Sequence, residues 1–152
     1  MLWLGRSPEV QDRLKPFTID VTDPETIDKA VREVGEVQKQ WKLSHGSDLP
    51  LAAVFCNAGI SAGSYPVELT TPQRDAQTFA VNFVGVAETA RKFLPLLRKH
   101  QGRLLITGSV AGTIASPLGQ PYSATKFAVK SLSDSLRREL KDLGVAVVRI
   151  EP

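Results

Sequence analysis

The sequence predicts an α/β fold in which a parallel, doubly wound sheet carries helices on both sides. Two observations predict it: runs of consecutive apolar residues, and helical patterns that alternate with those runs along the 152-residue chain. A strand that is apolar at every position is typically covered on both faces. Covered strands that alternate with helices indicate a parallel sheet between two helical layers. Without internal repeats or a linker, residues 1–152 are expected to form one domain.

Two of the predicted helices are marked by their start signals. A small polar residue followed by proline favours a helix start. The polar side chain accepts hydrogen bonds from the first unpaired N–H groups of the helix, and proline has no N–H that would be left unpaired there. Apolar residues then recur with a period of about 3.6. The signal occurs at Ser7-Pro8, Asp23-Pro24 and Thr71-Pro72. The apolar stripe after Asp23-Pro24 is Ile27, Ala30, Val31, Val34, Val37 and Trp41. The stripe after Thr71-Pro72 is Phe79, Phe83, Val86, Ala90, Phe93 and Leu97.

A third helix is predicted from Tyr122 to about Leu143, and Gly144 is expected to end it. Pro95 is expected to kink or stop the second helix. The predicted stripe of the third helix is Ala128, Leu132, Leu136, Leu140 and Leu143.

Strands are predicted where short apolar runs lie between these helices, at residues 51–56, 104–106 and 145–150. Residues 16–21 are a further predicted strand, and residues 2–5 are read as the end of another. Residues 42–50 are predicted to be a polar loop.

Composition restricts the possible classes of function. Hydrophobic residues make up 42% of the chain and charged residues 23%, which excludes disorder of the whole. The net charge of +3 is small and scattered, so no nucleic-acid or anionic-membrane partner is predicted. The longest apolar run, residues 49–56, is far shorter than the ~20 residues of a membrane span.

Cysteine and histidine are scarce in this sequence. The single cysteine, Cys56, excludes an internal disulfide, and with only two distant histidines it predicts no metal site. No signal peptide is visible at the N-terminus. A reducing, cytoplasmic setting is therefore expected.

Candidate binding residues follow the predicted strands, because ligands of doubly wound sheets bind beyond the carboxyl ends of the strands. Asn57-Ala58-Gly59 and residues 107–112 each follow a strand, and Asp20 and Val21 end the 16–21 run. Small residues allow a ligand to approach the backbone closely, and Asn, Ser and Asp offer hydrogen bonds. Each of these patterns taken alone is also that of a plain turn.

Tyr122 and Lys126 give a sharper signal. Their spacing of four places both side chains on one face of the third helix. An ammonium group favours the ionised form of a nearby phenol, which suits a tyrosine that exchanges protons at neutral pH. Ser109 ends a predicted strand, where its hydroxyl would share an oxygen ligand with Tyr122. The alternative for the Tyr-Lys pair by itself is a solvated surface pair.

Together these residues resemble the short-chain dehydrogenases/reductases, a family of NAD(P)(H)-dependent oxidoreductases with a Rossmann fold. The resemblance extends over nearly the whole chain, and it implies that an alcohol and its carbonyl compound are interconverted. The matching motifs stand in family order: Asp20-Val21, Asn57-Ala58-Gly59, Asn82 within residues 81–85, Ser109-Val110-Ala111-Gly112, Tyr122-x-x-x-Lys126 and Glu151-Pro152.

The resemblance implies four catalytic residues. Tyr122 would be the general acid/base, and Lys126 would assist it and hold the nicotinamide ribose. Ser109 would bind and polarise the reacting oxygen. Asn82 would hold a helix distortion and a water of the proton relay.

The resemblance also implies cofactor contacts. Asn57, Ala58 and Gly59 would border the adenosine side, Asp20 and Val21 would contact adenine, and Tyr122 and Lys126 would meet the nicotinamide end. At the end of strand two, the family places an acidic residue for NAD or an arginine for NADP. Gly5-Arg6-Ser7 stand there, so Arg6 favours NADP(H) over NAD(H).

The sequence departs from the family at both ends. The glycine-rich pyrophosphate loop does not precede these residues, and no substrate region follows Glu151-Pro152. We therefore expect a truncated Rossmann-type sheet, containing strands two to six of seven, and no activity from residues 1–152 alone. The second hypothesis is a non-catalytic remnant that acts, if at all, through protein association.

Residues 121–140 resemble the branch of the family that acts on retinols, steroids and 3-hydroxybutyrate-like alcohols. The expected substrate is accordingly a small-molecule alcohol or carbonyl compound. In the family, the second and third helices predicted above commonly form subunit contacts, which implies a homodimer or homotetramer for a complete enzyme.

Overall fold

The computed structural model describes residues 15–61 and 63–152, and at its centre lies a parallel sheet. Its strands are arranged in the order β1 (Ala53–Cys56), β2 (Arg103–Thr107), β3 (Ala146–Ile150). The register places Cys56 beside Ile106 and Ile106 beside Arg149. The predicted α/β class with a parallel sheet is confirmed.

Helices occupy the connections between these strands. Their bounds are α1 (Pro24–His45), α2 (Pro72–Phe79), α3 (Gly85–His100) and α4 (Gln120–Glu139). A π-helical turn, Ala80–Val84, joins α2 to α3 without a break, and 3₁₀ turns occur at Val67–Leu69, Val110–Gly112 and Lys141–Leu143.

The predicted start signals of α1 and α2 are confirmed as N-caps. The Asp23 side chain accepts a hydrogen bond from the Glu25 N–H at 2.9 Å, and the Thr71 hydroxyl accepts one from Arg74 at 3.3 Å. Proline occupies the first turn of both helices. Gly144, with φ of 73°, ends the 3₁₀ turn after α4, in agreement with its predicted role as a stop.

The core lies on one face of the sheet, beneath α3 and α4. Leu104, Ile106 and Val147 are buried there together with Val86 and Val129. A second buried cluster of Ile27, Ala30 and Phe93 forms where α1 packs against α3. This packing fixes the start of α4 over the carboxyl ends of the strands.

The opposite face of the sheet is exposed in the described residues. Phe55 is 52% exposed, Val148 41% and Ile150 42%. Among residues 15–61 and 63–152, the helices therefore cover one face of the sheet, and the expected second helical layer is not among these residues. The reason is that a continuous apolar run shows which faces are suited to burial but not which segment covers them.

Residues 16–21 do not form the predicted strand. They have no regular secondary structure, and the backbone of Asp20 bonds to the Thr26 side chain at the start of α1. A strand requires a neighbour to pair with, which a local apolar pattern cannot supply. The predicted strand at residues 2–5 and the start signal at Ser7-Pro8 lie outside the described residues.

Three helix predictions also need some correction. Of the kink or stop expected at Pro95, the stop does not occur: α3 continues to His100, and Phe93 and Leu97 on either side of the proline are buried in the core. Helix α1 extends to His45, so the polar loop begins later than predicted. Of the predicted stripe of the third helix, Leu140 is buried, and Leu132 and Leu136 are half-buried and pack against the core. The fully buried residues of α4 itself are mostly polar: Pro121, Ser123, Thr125, Lys126, Val129 and Ser133.

Candidate active site

Lys126 is a buried cation at the first turns of α4. Its side chain is directed to the end of β2, where Nζ donates a hydrogen bond of 2.8 Å to the Thr107 carbonyl oxygen. The same Nζ lies 5.5 Å from the centre of the Tyr122 ring. Only 5% of Lys126 is exposed, and this burial lowers its pKa. The helix spacing of four thus places the ammonium group beside the tyrosine.

Ser109 reaches the same region through a close backbone approach. It caps the 3₁₀ turn Val110–Gly112, and its hydroxyl accepts from the Ala111 N–H at 3.2 Å. A Cβ atom at Gly112 would lie 2.7 Å from the carbonyl oxygen of Lys126, which only glycine avoids. The absence of a side chain there lets the serine turn lie directly on α4.

Asn82 is buried inside the π-helical turn and joins three segments. Its Oδ1 accepts from the Ile60 N–H at 2.8 Å, and its Nδ2 donates to the Ile60 carbonyl at 2.9 Å. Nδ2 also donates to the Thr125 hydroxyl at 3.1 Å. The turn interrupts the α-helix at the residue where the resemblance implies a distortion. Its side chain therefore ties the loop after β1 to α4.

The loop after β1 contributes the remaining predicted residues. Asn57 is exposed, and its Oδ1 accepts from the Thr107 hydroxyl at 2.8 Å. Gly59 is the closest to Lys126: a Cβ there would lie 3.5 Å from Asn82 Oδ1 and 4.0 Å from Lys126 Nζ. Gly59 thus presents a residue without a side chain beside Asn82 and Lys126.

An open pocket lies beside this loop, at the carboxyl end of β1. Its walls include Val21, Asn57, Ala58 and Thr89. Val21 packs on α3 at Gly85, where a Cβ would lie 2.8 Å from the valine side chain. The structure brings the predicted adenine residue Val21 and the predicted adenosine residues Asn57 and Ala58 to one pocket.

Asp20 faces its own turn. Its carboxylate accepts from the side chain and the backbone N–H of Thr22, and these hydrogen bonds lower its pKa. Cys56 also lines the pocket, and burial raises the pKa of its thiol to about 12. Arg6, the predicted cofactor-selecting residue, lies outside the described residues.

In residues 15–61 and 63–152, no group of three His, Cys, Asp or Glu side chains is arranged to hold a metal ion. None of the helices described in the same ranges combines the length and the apolar character required to span a bilayer.

Comparison with known proteins identifies the family. The family model described as short chain dehydrogenase matches residues 4–152. The chain belongs to the short-chain dehydrogenase family. Human "Retinol dehydrogenase 16" is 38% identical over 144 residues, which are 95% of this chain and 43% of that protein. The rat mitochondrial D-beta-hydroxybutyrate dehydrogenase is 36% identical over 141 residues, 93% of this chain and 39% of the relative.

Solved structures share the fold. A chain from Burkholderia phymatum, described in complex with NAD, has a TM-score of 0.69 at 26% identity, covering 88% of this chain and 45% of that one. ElxO with NADP bound has a TM-score of 0.79 at 22% identity, and the match covers 93% of this chain and 54% of that one. The sheet and helices are therefore those of a Rossmann-fold short-chain dehydrogenase. The chain spans about two fifths of the length of the two relatives named above.

Two threonines of the site make contacts that the sequence did not predict: Thr107 lies within the candidate residues 107–112, and Thr125 was not a candidate. Thr107 holds Lys126 through its carbonyl and Asn57 through its hydroxyl. Thr125 holds both Asn82 and the Tyr122 carbonyl. The one available signal was position: Thr107 directly precedes Gly108-Ser109, and Thr125 stands within the Tyr122-x-x-x-Lys126 motif.

Proposed function

We propose that this short-chain dehydrogenase catalyses the NAD(P)(H)-dependent interconversion of an alcohol and its carbonyl compound. The observation that carries the proposal is the Lys126 ammonium group, which is buried and held 5.5 Å from the Tyr122 ring. An ammonium group held beside a tyrosine ring suits a tyrosine that exchanges a proton with an alcohol or its carbonyl compound. Tyr122 is the general acid/base in this proposal.

Ser109 and Asn82 have supporting roles in the proposed reaction. The Ser109 hydroxyl would donate to the reacting oxygen and orient it toward Tyr122. Asn82 would hold the loop after β1 against α4, because its amide bonds both to Ile60 and to Thr125. Lys126 would also donate to the ribose hydroxyls of the nicotinamide half.

The residues around the pocket fit a nicotinamide dinucleotide. Val21, Asn57 and Ala58 would hold the adenosine half, with Asp20 beside them, and Gly59 leaves open the space that a Cβ would fill near Lys126. When bound, the nicotinamide supplies hydride acceptance or donation. Family members bind NAD or NADP, and Arg6 supports a preference of this chain for NADP(H).

The substrate class is proposed from the relatives. Their names specify a retinol and a hydroxybutyrate as substrates of those proteins, so we propose a small-molecule alcohol or its carbonyl compound here. A homodimer or homotetramer and a cytoplasmic location belong to the same proposal.

An assay of the protein expressed from its full reading frame tests the proposal. Retinol, a hydroxysteroid and 3-hydroxybutyrate are supplied with NADP⁺ or NAD⁺, and formation of the reduced cofactor is followed by absorbance. We expect turnover of at least one alcohol, and a higher NADP⁺ KM in Arg6→Ala. A folded protein that turns over none and binds neither cofactor would favour the non-catalytic remnant.

A further inference from the structure

Thr125 is a fully buried hydroxyl at the centre of the site. Its hydroxyl donates to the Tyr122 carbonyl oxygen at 2.7 Å and accepts from Asn82 Nδ2 at 3.1 Å. One hydroxyl therefore joins the first turn of α4 to the π-helical turn. It lies between the proposed acid/base Tyr122 and the proposed cation Lys126 in the sequence.

The Asn82 amide has no spare donor. One Nδ2 hydrogen bonds to the Ile60 carbonyl and the other to Thr125, while Oδ1 accepts from the Ile60 N–H. Asn82 is 1% exposed and Thr125 0%, so water cannot replace a lost partner without rearrangement. Removal of the Thr125 hydroxyl would leave one amide hydrogen unpaired and free the Asn82 side chain to turn.

A turn of the Asn82 side chain would alter the position of the Gly59 loop relative to Lys126. A side chain beginning at Gly59 would lie within 4.0 Å of both Asn82 Oδ1 and Lys126 Nζ, so these two groups border the same small space. The Ile60 backbone, directly after Gly59, is held at both its N–H and its carbonyl by Asn82.

We propose that Thr125 is a positioning residue, whose hydroxyl holds the Asn82 amide and with it the Gly59-Ile60 loop in register with Tyr122 and Lys126. The inference rests on the proposed function for its catalytic consequence. The hydrogen-bonded linkage itself does not depend on that function.

Thr125→Val in the protein expressed from its full reading frame tests the proposal, because valine keeps the branched shape and removes the hydroxyl. We expect kcat to fall about 10-fold or more and the Ile60 amide to exchange its hydrogen about 10-fold faster, as one buried hydrogen bond is lost. Thr125→Ser, which retains the hydroxyl, should restore both values.

Thr78→Val is the matched control. Thr78 is equally buried, and its hydroxyl donates to the Arg74 carbonyl at 2.8 Å within α2, whereas the Asn82 amide bonds to Ile60 and Thr125. It should leave kcat and Ile60 exchange unchanged. Unchanged Ile60 exchange in Thr125→Val, failure of Thr125→Ser to rescue, or an equal loss of kcat in Thr78→Val would each overturn the proposal. A wild-type protein without turnover would instead reject the proposed function, and the exchange rates would then decide the linkage alone.

Discussion

Lys126 combines a proposed chemical role with a stability cost. A charged ammonium group loses hydration when it is buried, and the one carbonyl bond to Thr107 replaces only part of that hydration. Burial accordingly lowers its pKa from the ordinary value of 10.5. Such a group destabilises the fold while it is charged, which is typical of residues placed for function rather than for packing.

The pH dependence of stability follows from this shift. Between the folded pKa of Lys126 and 10.5, the unfolded chain binds more protons, so the free energy of unfolding rises with pH. The penalty is complete below the folded pKa and disappears as pH rises through 10.5. We therefore expect Lys126→Met to have a higher free energy of unfolding than the wild type, by a larger margin at neutral pH than at alkaline pH. Urea unfolding at both pH values measures the difference. A stability difference independent of pH would contradict this.

At the scale of elements, two glycines show how differently the same residue acts. Gly112 lies against the backbone of Lys126 and keeps the serine turn in contact with α4. Gly35 lies in the middle of α1, where a Cβ would meet nothing within 4 Å. One glycine is needed for a close approach, and the other only weakens its helix.

Alanine substitutions should therefore have opposite effects. Gly35→Ala should stabilise the protein by about 0.5–1 kcal/mol through helix entropy. Gly112→Ala should destabilise it by about 1–3 kcal/mol and lower kcat, because the serine turn must move away from Lys126. Urea unfolding and steady-state kinetics of both variants measure this. Equal stability of the two variants would contradict the close approach of Gly112 to the Lys126 backbone.

The elements also show which features a sequence pattern can predict. Helix starts at Asp23 and Thr71 were predictable because a cap involves only neighbouring residues. The strand at 16–21 was not, because its formation depends on a distant partner. The buried polar face of α4 was not predicted, because a hydropathy pattern counts every hydroxyl as polar even when a hydrogen bond within the fold allows its burial. The Ser133 hydroxyl is an example, since it donates to the Val129 carbonyl oxygen at 2.7 Å.

The same distinction applies to the site. The spacing of Tyr122 and Lys126 predicted their shared helix face, because helix geometry is local. The links made by Thr107 and Thr125 depend on tertiary contacts, and a threonine hydroxyl alone does not specify its partner.

At the scale of the whole molecule, the sheet is covered on one side only in the described residues. Phe55, Val148 and Ile150 present apolar surface on the other side. Burial of apolar surface stabilises a fold by about 25 cal/mol per Å², so the surface left in water lacks this contribution. The missing free energy is large relative to a typical net stability of about 5–15 kcal/mol.

The most direct test of the account is the turnover of Tyr122→Phe in the product of the full reading frame. Phenylalanine keeps the ring beside Lys126 and removes the hydroxyl that exchanges the proton. We expect a loss of about 10²–10⁴-fold in kcat, with little change in the dissociation constant of the cofactor. A Tyr122→Phe variant with kcat near that of the wild type would contradict the assignment of Tyr122 as the acid/base.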